Sequence, residues 1–327
     1  MISYPLVSVI IPTYNRAFIV MKAIESALRQ TYPNVEVLVI DDGSEDHTEA
    51  LVSAEKRVKY IKIPHGGQST ARNIGLELAE GAFIAPLDSD DVWAPDFLMK
   101  SVHAIEHFQL DFVFANWLQL NKIGEPHDFL RRDPFLKPYV GKKQTADWVL
   151  LSNEDLRELY LSACPSPSSS TLIRKSSIVG RYNKQLRIGE DWSLYLDMIL
   201  NKPCKAAFTL EKLWYKQVHD HNIYDGRVRS QVLEIMNVDD QKILDLYRHL
   251  LHEDEIAVFT RKCVSVKMEL AKHKLIRERR FSESWRLYKE AFMLQPVRAA
   301  TEIPRLLSQA FRHRWLRVSL FFDPINS

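Results

Sequence analysis

The sequence predicts an α/β protein, with a helix-flanked sheet in its N-terminal part and helices alone in its C-terminal part. Apolar runs typical of buried strands alternate with amphipathic segments through the first hundred residues, and the final hundred show no strand-like alternation. No Gly or Pro occurs between Arg227 and Gln295. A chain of 327 residues with 46% hydrophobic content can bury a large core, in one large domain with an appendage or in two domains.

Four apolar runs are typical of strands. They are Val7 to Ile11, Val35 to Ile40, Val58 to Ile63 and Ala82 to Leu87. The second run is apolar enough to lie centrally in a parallel sheet.

Between these runs, apolar residues recur at helical spacing and predict amphipathic helices. The first helix presents Val20, Ala23, Ile24, Ala27 and Leu28 on one face. The second presents Ala71, Ile74, Gly75, Leu78 and Ala79, with Ser69 or Thr70 as its predicted N-cap. The resulting order is βαβαβα.

Polar residues follow three of the predicted strands, at Thr13 to Asn15, Asp41 to Ser44 and Asp88 to Asp91. In an open parallel sheet, ligands bind in the crevice beyond the carboxyl ends of the strands. The sequence therefore predicts that these three turns line one binding site.

The last of these turns contains the carboxylates of Asp88, Asp90 and Asp91. Carboxylate oxygens are hard ligands that suit Mg²⁺ or Mn²⁺, ions that usually keep positions open for substrate phosphates. The alternative interpretation is a solvated turn followed by a helix cap, because Asp and Ser favour both.

Composition excludes several classes of protein. A formal net charge of +2 argues against a dedicated nucleic-acid binder, and the chain has neither a long apolar run nor a signal-peptide pattern at its N-terminus. We therefore expect a cytoplasmic protein. Cys164, Cys204 and Cys263 have neither metal-ligand nor disulfide spacing, so we expect them to be reduced and structural.

Four segments together resemble the serial motifs of the inverting family 2 glycosyltransferases, which have the GT-A fold, a Rossmann-like mixed sheet flanked by helices. The segments are Val7 to Arg16, Val39 to Ser44, Gly67 to Gly75 and Leu87 to Asp91. The resemblance continues more loosely to about residue 225. It implies a GT-A catalytic domain over residues 1–225, with a nucleotide-sugar-binding half at 1–100 and an acceptor-binding half at 101–225. Residues 226–327 form the C-terminal helical region.

The resemblance implies a nucleotide-sugar donor, most simply a UDP-sugar, bound by Pro12, Thr13, Tyr14, Asp42 and Arg72. Tyr14 would stack on uracil, Asp42 would accept a hydrogen bond from the base N3–H, and Arg72 would pair with the pyrophosphate. The alternatives are an ordinary surface aromatic for Tyr14, a turn-forming residue for Asp42 and a solvated helix arginine for Arg72.

The same resemblance implies that Asp90 coordinates Mn²⁺ or Mg²⁺ directly. Asp88 would contact the donor ribose or the metal's water shell. Asp91 ranks lower, because it is also placed to cap the helix that follows, near Pro95. His219, in the segment Trp214 to Asn222, would contact the metal or a phosphate; the alternative is a surface histidine.

About a hundred residues further on, Glu190 and Asp191 resemble the Glu-Asp motif of the family's acceptor side. Inverting transfer is a direct displacement, so one carboxylate must take the proton of the acceptor hydroxyl. The resemblance assigns that role to Asp191, with Glu190 orienting the acceptor. The alternative is that both carboxylates only complement the dipole of the helix they begin.

These assignments predict a glycosyltransferase that acts on a glycan or lipid-linked acceptor in cell-surface polysaccharide synthesis. A sugar-phosphate nucleotidyltransferase is disfavoured, because no glycine follows the first strand at Pro12 to Arg16. A non-catalytic scaffold is disfavoured because Asp42, Asp90 and Asp191 are all present.

Three further segments bear on the acceptor. Ser162 to Ser170, small, polar and Pro-rich, predicts an active-site loop, and residues 121–158 carry no motif that identifies the acceptor. In the tail from Glu302 to Phe322, basic residues alternate with Trp, Leu and Phe, a pattern that membrane-surface segments use. That pattern is more typical of packing on the protein's own core or of a homo-oligomer contact. Contact with the inner face of the cytoplasmic membrane is the less favoured alternative.

Overall fold

The computed structural model describes residues 4–120, 126–141, 144–145, 147–217 and 227–300. The chain divides into two compact units, residues 1–226 and 227–327. The strands are β1 Val7–Thr13, β2 Val35–Asp41, β3 Lys59–Lys62, β4 Phe83–Pro86, β5 Asp91–Trp93, β6 Phe112–Leu120, β7 Pro126–Asp128, β8 Gln144–Thr145, β9 Trp148–Leu151, β10 Thr171–Arg174 and β11 Ala206–Gln217. The helices are α1 Val20–Leu28, α2 Thr48–Ala54, α3 Gln68–Leu78, α4 Phe97–Phe108, α5 Phe129–Arg132, α6 Asn153–Ser162, α7 Glu190–Asn201, α8 Arg229–Tyr247, α9 Glu253–Ile276 and α10 Phe281–Leu294.

The strands of the first unit form one mixed sheet in the order β3-β2-β1-β4-β10-β6-β11-β9-β8. Strands β3, β2, β1 and β4 are parallel, as the βαβαβα order predicts. Strand β10 is antiparallel to both β4 and β6, and β5 adds to β11 off the main path. The predicted mixed sheet is confirmed, and the carboxyl ends of β1, β2 and β4 lie at one edge.

The four predicted strands correspond to β1 through β4, each within two residues of its predicted ends. The predicted cap of α3 is wrong. The N-cap is Gly67, whose φ of 85° lies in the left-handed region that favours glycine. The hydroxyl of Thr70 donates to the carbonyl of Gly66, and Ser69 is buried within the first turn. Leu78 is also not part of the buried face, since it is 44% exposed at the last turn.

Helix α3 lies directly against β1 because Gly75 has no side chain. A Cβ at Gly75 would come within 2.3 Å of the Ile10 Cγ2 atom. The contact continues through a buried cluster that includes Ile10, Ala71 and Ile84. This packing sets the position of Arg72, one turn before Gly75, at the edge where β1 and β4 end.

The second unit is helical over its described residues, as predicted. Helices α8, α9 and α10 enclose a core that includes Leu233, Val264 and Leu287. In helix α8, Val232 and Ile235 are buried, whereas Val228 is the exposed N-cap residue. None of the described helices is both long and apolar enough to cross a membrane. The tail from Glu302 to Phe322 lies outside the described residues.

Candidate active site

A cleft of about 510 Å³ lies beyond the carboxyl ends of β1, β2 and β4, in the range typical of small-molecule sites. The sequence-predicted residues that line it are Pro12, Thr13, Tyr14, Asp42, Arg72, Asp88, Asp90, Asp91, Glu190 and Asp191. His219, the remaining predicted residue, lies outside the described residues. Turns some 180 positions apart in the chain thus meet at one site.

One wall of the cleft is acidic. Carboxylate oxygens of Asp88, Asp90 and Asp91 all lie within 4.8 Å of one another. Burial raises the pKa of Asp91 well above its ordinary value, and the charges of Asp90 and Asp88 raise it further. We refer to these three residues as the acidic cluster.

Asp91 does not cap the next helix, so that prediction is wrong. Asp91 begins the short strand β5 and is only 4% exposed, and Asp96 is the N-cap residue of α4. The Asp91 Oδ2 atom accepts a 2.6 Å hydrogen bond from the Ser169 hydroxyl. Its Oδ1 atom is buried and has no hydrogen-bond partner among the described residues. A carboxylate in this position belongs to the acidic cluster.

Ser169 connects the acidic cluster to the loop before β10. Its hydroxyl oxygen accepts from the backbone N–H of Asp88 at 3.0 Å and donates to Asp91. Its carbonyl accepts from the Trp93 indole at 2.7 Å. The predicted active-site loop therefore holds two members of the cluster in place.

The opposite wall is formed by the first residues of α7. Glu190, 4% exposed, accepts hydrogen bonds from Arg72 and Gln68, both at 2.6 Å and both at Oε1. Burial raises the pKa of Glu190 to about 7, although the charge of Arg72 acts in the opposite direction. The Glu190 Oε2 atom is buried and has no hydrogen-bond partner within the described chain.

Asp191, the next residue, is half-buried and lines the cleft. Its Oδ1 atom accepts from the backbone N–H of Trp192 at 2.7 Å, which orients the carboxyl group. Burial raises the pKa of Asp191, and the charge of Arg72 opposes that increase. A carboxyl group with a raised pKa accepts a proton near neutral pH more readily than an exposed aspartate does.

Arg72 joins the two walls. Its guanidinium is 4% exposed and donates to Asp88 at 2.6 Å and to Glu190 at 2.6 Å. It also lies 5.4 Å from the centroid of the buried Tyr182 ring. The pyrophosphate role stays a prediction, and the ion pairs with two carboxylates were not predicted.

The third side of the cleft lies at the end of β2. The carboxylate of Asp42 accepts the backbone N–H groups of Gly66 at 2.8 Å and Gly67 at 2.9 Å. His65 Nδ1 lies 2.9 Å from the Asp42 Oδ2 atom. Since a carboxylate oxygen can accept two hydrogen bonds, Oδ1 retains capacity for one donor from a ligand.

Tyr14 is 42% exposed and lines the cleft beside Asp42. Its ring stacks on His65, with a centroid separation of 4.4 Å and an interplanar angle of 29°. An exposed aromatic next to a hydrogen-bond acceptor can bind a planar ring that carries an N–H group.

The residues of the site that the sequence reasoning missed include His65, Gln68 and Lys216, and also Ser169 as an individual contact. Lys216 lines the cleft and pairs in register with Asp91 between β11 and β5. It lies 125 positions from Asp91, so no local pattern could indicate this pairing. His65 and Gln68 flank Gly66 and Gly67, where the third motif begins, and that proximity was the available signal.

Comparisons with known proteins agree with this architecture. The family model for glycosyl transferase family 2 matches residues 8–149. WfaP of Escherichia coli, a UDP-Glc:alpha-D-GlcNAc-diphosphoundecaprenol beta-1,3-glucosyltransferase, is 37% identical over 230 residues, covering 69% of this chain and 83% of WfaP. An uncharacterized glycosyltransferase of Rickettsia felis is 40% identical over 122 residues, covering 36% of this chain. The match spans only 20% of the length of the Rickettsia protein.

Two solved structures share the fold. The crystal structure of S. aureus TarS 1–349 in complex with UDP superposes with a TM-score of 0.59 at 19% identity, covering 94% of this chain and 87% of TarS 1–349. The mannosyltransferase PcManGT of Pyrobaculum calidifontis, in complex with GDP-Man and Mn²⁺, superposes with a TM-score of 0.56 at 16% identity. The match covers 98% of this chain and 88% of PcManGT. These likenesses confirm the predicted GT-A fold. Together with the family model and the extent of the match to WfaP, they show that the chain belongs to glycosyl transferase family 2.

Proposed function

We propose that this protein is a metal-dependent, inverting glycosyltransferase that moves a sugar from a nucleotide-diphosphate donor, most simply a UDP-sugar, to a hydroxyl group of a glycan or lipid-linked acceptor. One observation carries the proposal: the cleft has the acidic cluster on one wall and the carboxylates of Glu190 and Asp191 on the other. Direct displacement needs one group for the leaving diphosphate and another for the acceptor proton.

The residues of the acidic cluster fit a divalent ion. Their carboxylate oxygens converge, and the buried, unpartnered Oδ1 atom of Asp91 is a hard donor that a cation would satisfy. Asp90 and Asp88 would hold Mn²⁺ or Mg²⁺, with Asp91 completing the set. A bound ion would neutralise charge on the departing diphosphate.

Asp191 serves as the general base of the proposed reaction. The acceptor oxygen bonds to the anomeric carbon as the bond to the diphosphate breaks, and Asp191 takes the hydroxyl proton. Attack from the side opposite the diphosphate inverts the anomeric configuration. The burial that raises the pKa of Asp191 supports this role.

Glu190 has a different role in our proposal from the one predicted. The ion pair with Arg72 and the hydrogen bond from Gln68 occupy its Oε1 atom. We assign Glu190 to positioning Arg72, which leaves Asp191 as the residue of the pair that faces the acceptor.

The nucleotide site is assigned to Tyr14, Asp42 and the adjoining loop. The exposed Tyr14 ring offers a stacking surface, and Asp42 Oδ1 can accept the N3–H of uracil, a donor that cytosine lacks. TarS was crystallised with UDP, which supports the same nucleotide class.

Lipid-linked acceptors and cell-surface glycan synthesis are proposed from the description of WfaP, which acts on GlcNAc-diphosphoundecaprenol. The family match also favours glycosyl transfer over the nucleotidyltransferase alternative.

A nucleotide-sugar hydrolysis and transfer screen tests the proposal. The chain would be incubated with a panel of UDP-, dTDP- and GDP-sugars, with Mn²⁺, with Mg²⁺ or with EDTA. We expect release of one nucleoside diphosphate, dependent on the metal, from one or two donors. Cleavage that is equal in EDTA would contradict the metal requirement, and release of nucleoside monophosphate would indicate a different reaction.

A further inference from the structure

Helix α10 of the second unit carries an exposed aromatic face. Phe281, Trp285 and Phe292 are 67%, 61% and 47% exposed. Together with Lys289 they lie at positions i, i+4, i+8 and i+11, which places them on one side of a helix. Met293, at 74% exposed, borders the same side. Large apolar side chains grouped in this way on a surface mark an interaction site.

The side of α10 next to this face is already used for packing. Leu287, Tyr288 and Ala291 are buried in the core of the second unit. The aromatic face is therefore additional to the residues that hold the helix to its own domain, and helix packing within the unit does not account for it.

The net charge on and beside this face is positive. Lys289 lies in the middle of it, with its ammonium group 5.6 Å from the centroid of the Trp285 ring, and Arg286 lies at its border. The two carboxylates of α10 are each paired with more than one cation. Glu283 pairs with Arg280 and Lys274, and Glu290 pairs with Lys267 at 3.1 Å and with Arg286 at 3.9 Å.

We propose that this face of α10 docks on an anionic lipid bilayer surface. Phe281, Trp285 and Phe292 would enter the boundary between headgroups and acyl chains, while Lys289 and Arg286 would meet anionic headgroups. A protein partner with an apolar groove would not by itself require the net positive charge around Lys289. Cations interleaved with aromatic rings complement an anionic lipid surface better than an uncharged one.

The sequence that follows has the same composition. Val297, at 80% exposed, lies just beyond α10, and Arg312, Arg314, Trp315 and Phe321 come later in the chain. The proposal stands on the described face of α10 alone and does not depend on the reaction assigned to the cleft in the first unit.

Vesicle co-sedimentation of the full chain tests the proposal. Phosphatidylglycerol vesicles are compared with phosphatidylcholine vesicles, and we expect preferential pelleting with the former that weakens as salt is added. Trp285→Glu/Phe292→Glu should reduce the partition coefficient at least about tenfold, because two apolar anchors become repelling charges. Lys289→Glu alone should reduce it by about fivefold or more.

The matched control is Val238→Glu/Leu246→Glu, which places the same two charges at exposed apolar positions of α8 in the same unit. This variant should pellet with anionic vesicles nearly as much as the parent chain does. Any small loss would come from the repulsion between two added carboxylates and anionic headgroups. Circular dichroism and thermal unfolding should show that each variant is folded.

Three outcomes would overturn the proposal. One is equal pelleting with anionic and neutral vesicles, and a second is an equal loss of pelleting in the α8 control. The third is a parent chain that does not pellet with vesicles and sediments as a dimer, while Trp285→Glu/Phe292→Glu sediments as a monomer. The aromatic face would then bind a second copy of the chain. A truncation after Ala300 that retains the preference for anionic vesicles supports the assignment of membrane binding to α10. If that truncation loses all vesicle binding, the membrane-binding segment is the tail instead.

Discussion

The two walls of the cleft use the same kind of side chain in different surroundings. In the acidic cluster, Asp91 is surrounded by further carboxylates, and their charges add to burial in raising its pKa. In the pair at the start of α7, burial raises the pKa of Glu190 and Asp191 while Arg72 opposes the increase. We propose that the first arrangement binds a cation from outside the protein, in addition to Arg72 beside Asp88 and Lys216 near Asp91, whereas the second is balanced by Arg72. In this proposal the first is a metal-binding wall and the second an acid-base wall.

Arg72 connects the two walls, since it donates both to Asp88 and to Glu190. A change on one wall can therefore affect the other through this residue. Substitution of one group at a time distinguishes the roles of the two walls.

The largest effect is expected from Asp90→Ala. Loss of a ligand from the acidic cluster should lower kcat/KM for transfer by about 1000-fold or more, because charge on the leaving diphosphate is no longer balanced. Thermal unfolding should change little, since Asp90 is not part of the core. The control is Asp96→Ala, at the partly exposed N-cap position of α4, where the side chain makes no capping hydrogen bond. If Asp90→Ala transferred sugar at the parent rate, the assignment of Asp90 as a metal ligand would be wrong.

Arg72→Met breaks the connection between the walls. It leaves Glu190 buried without its cation, and loss of one partner of a buried pair costs about 3 kcal/mol of unfolding free energy. Adding Glu190→Gln in the same chain should restore part of the loss. Denaturant unfolding measures the free energy of unfolding of the single and the double variant. Arg181→Met removes an exposed partner of Glu77 and should cost less than about 1 kcal/mol. Equal costs for the two single variants would argue against a structural role for the buried pair.

Asp191→Asn acts on the acid-base wall alone. The amide cannot take the acceptor proton, so kcat should fall at least about 100-fold, the scale typical of losing a general base. The measurement is turnover at saturating donor, with Asp197→Asn of the same helix as control. Product from the parent chain, examined by NMR, should have the anomeric configuration inverted relative to the donor. Retention would rule out single displacement.

The pH dependence of stability distinguishes Glu190 from an ordinary exposed glutamate. Its pKa in the folded chain is raised to about 7 from 4.5, so the folded state holds a proton that the unfolded state has released between those values. Unfolding free energy should therefore rise as pH falls from 7 toward 4.5, by on the order of 2 kcal/mol relative to Glu190→Gln. Parallel pH profiles of the two chains, measured without added metal, would contradict the raised pKa.

The smallest effect is expected away from both carboxylate walls, at Tyr14. Tyr14→Ala should raise the KM for the donor by about tenfold through loss of stacking, while kcat stays close to the parent value. Tyr14→Phe keeps the ring and should bind the donor as the parent chain does. A Tyr14→Ala variant that loses kcat instead of donor affinity would place the ring nearer the reacting groups than we propose.

The sequence predicted strands β1 to β4 of the sheet, the convergence of their polar turns and half of the residues that line the cleft. It could do so because apolar periodicity determines each strand locally, and because parallel strands bring their carboxyl ends to one edge. The assignment of individual roles came from the family resemblance rather than from spacing.

What the sequence did not predict depends on contacts between distant segments. The ion pairs of Arg72 with Asp88 and Glu190 span up to 118 positions, and the register of Lys216 with Asp91 depends on how β5 adds to β11. Helix capping was the alternative role for Asp91 because its local sequence suits a cap, but pairing with β11 draws Asp91 into a strand. Local preference was overridden there by tertiary structure.

Calorimetric titration of UDP, with and without Mn²⁺, into Asp90→Ala and Asp191→Asn side by side tests the separation of the two walls most directly. We expect Asp191→Asn to bind UDP as tightly as the parent chain does in Mn²⁺, and Asp90→Ala to have lost the Mn²⁺-dependent part of that affinity. Loss of UDP affinity in Asp191→Asn, with metal-dependent binding retained in Asp90→Ala, would contradict it.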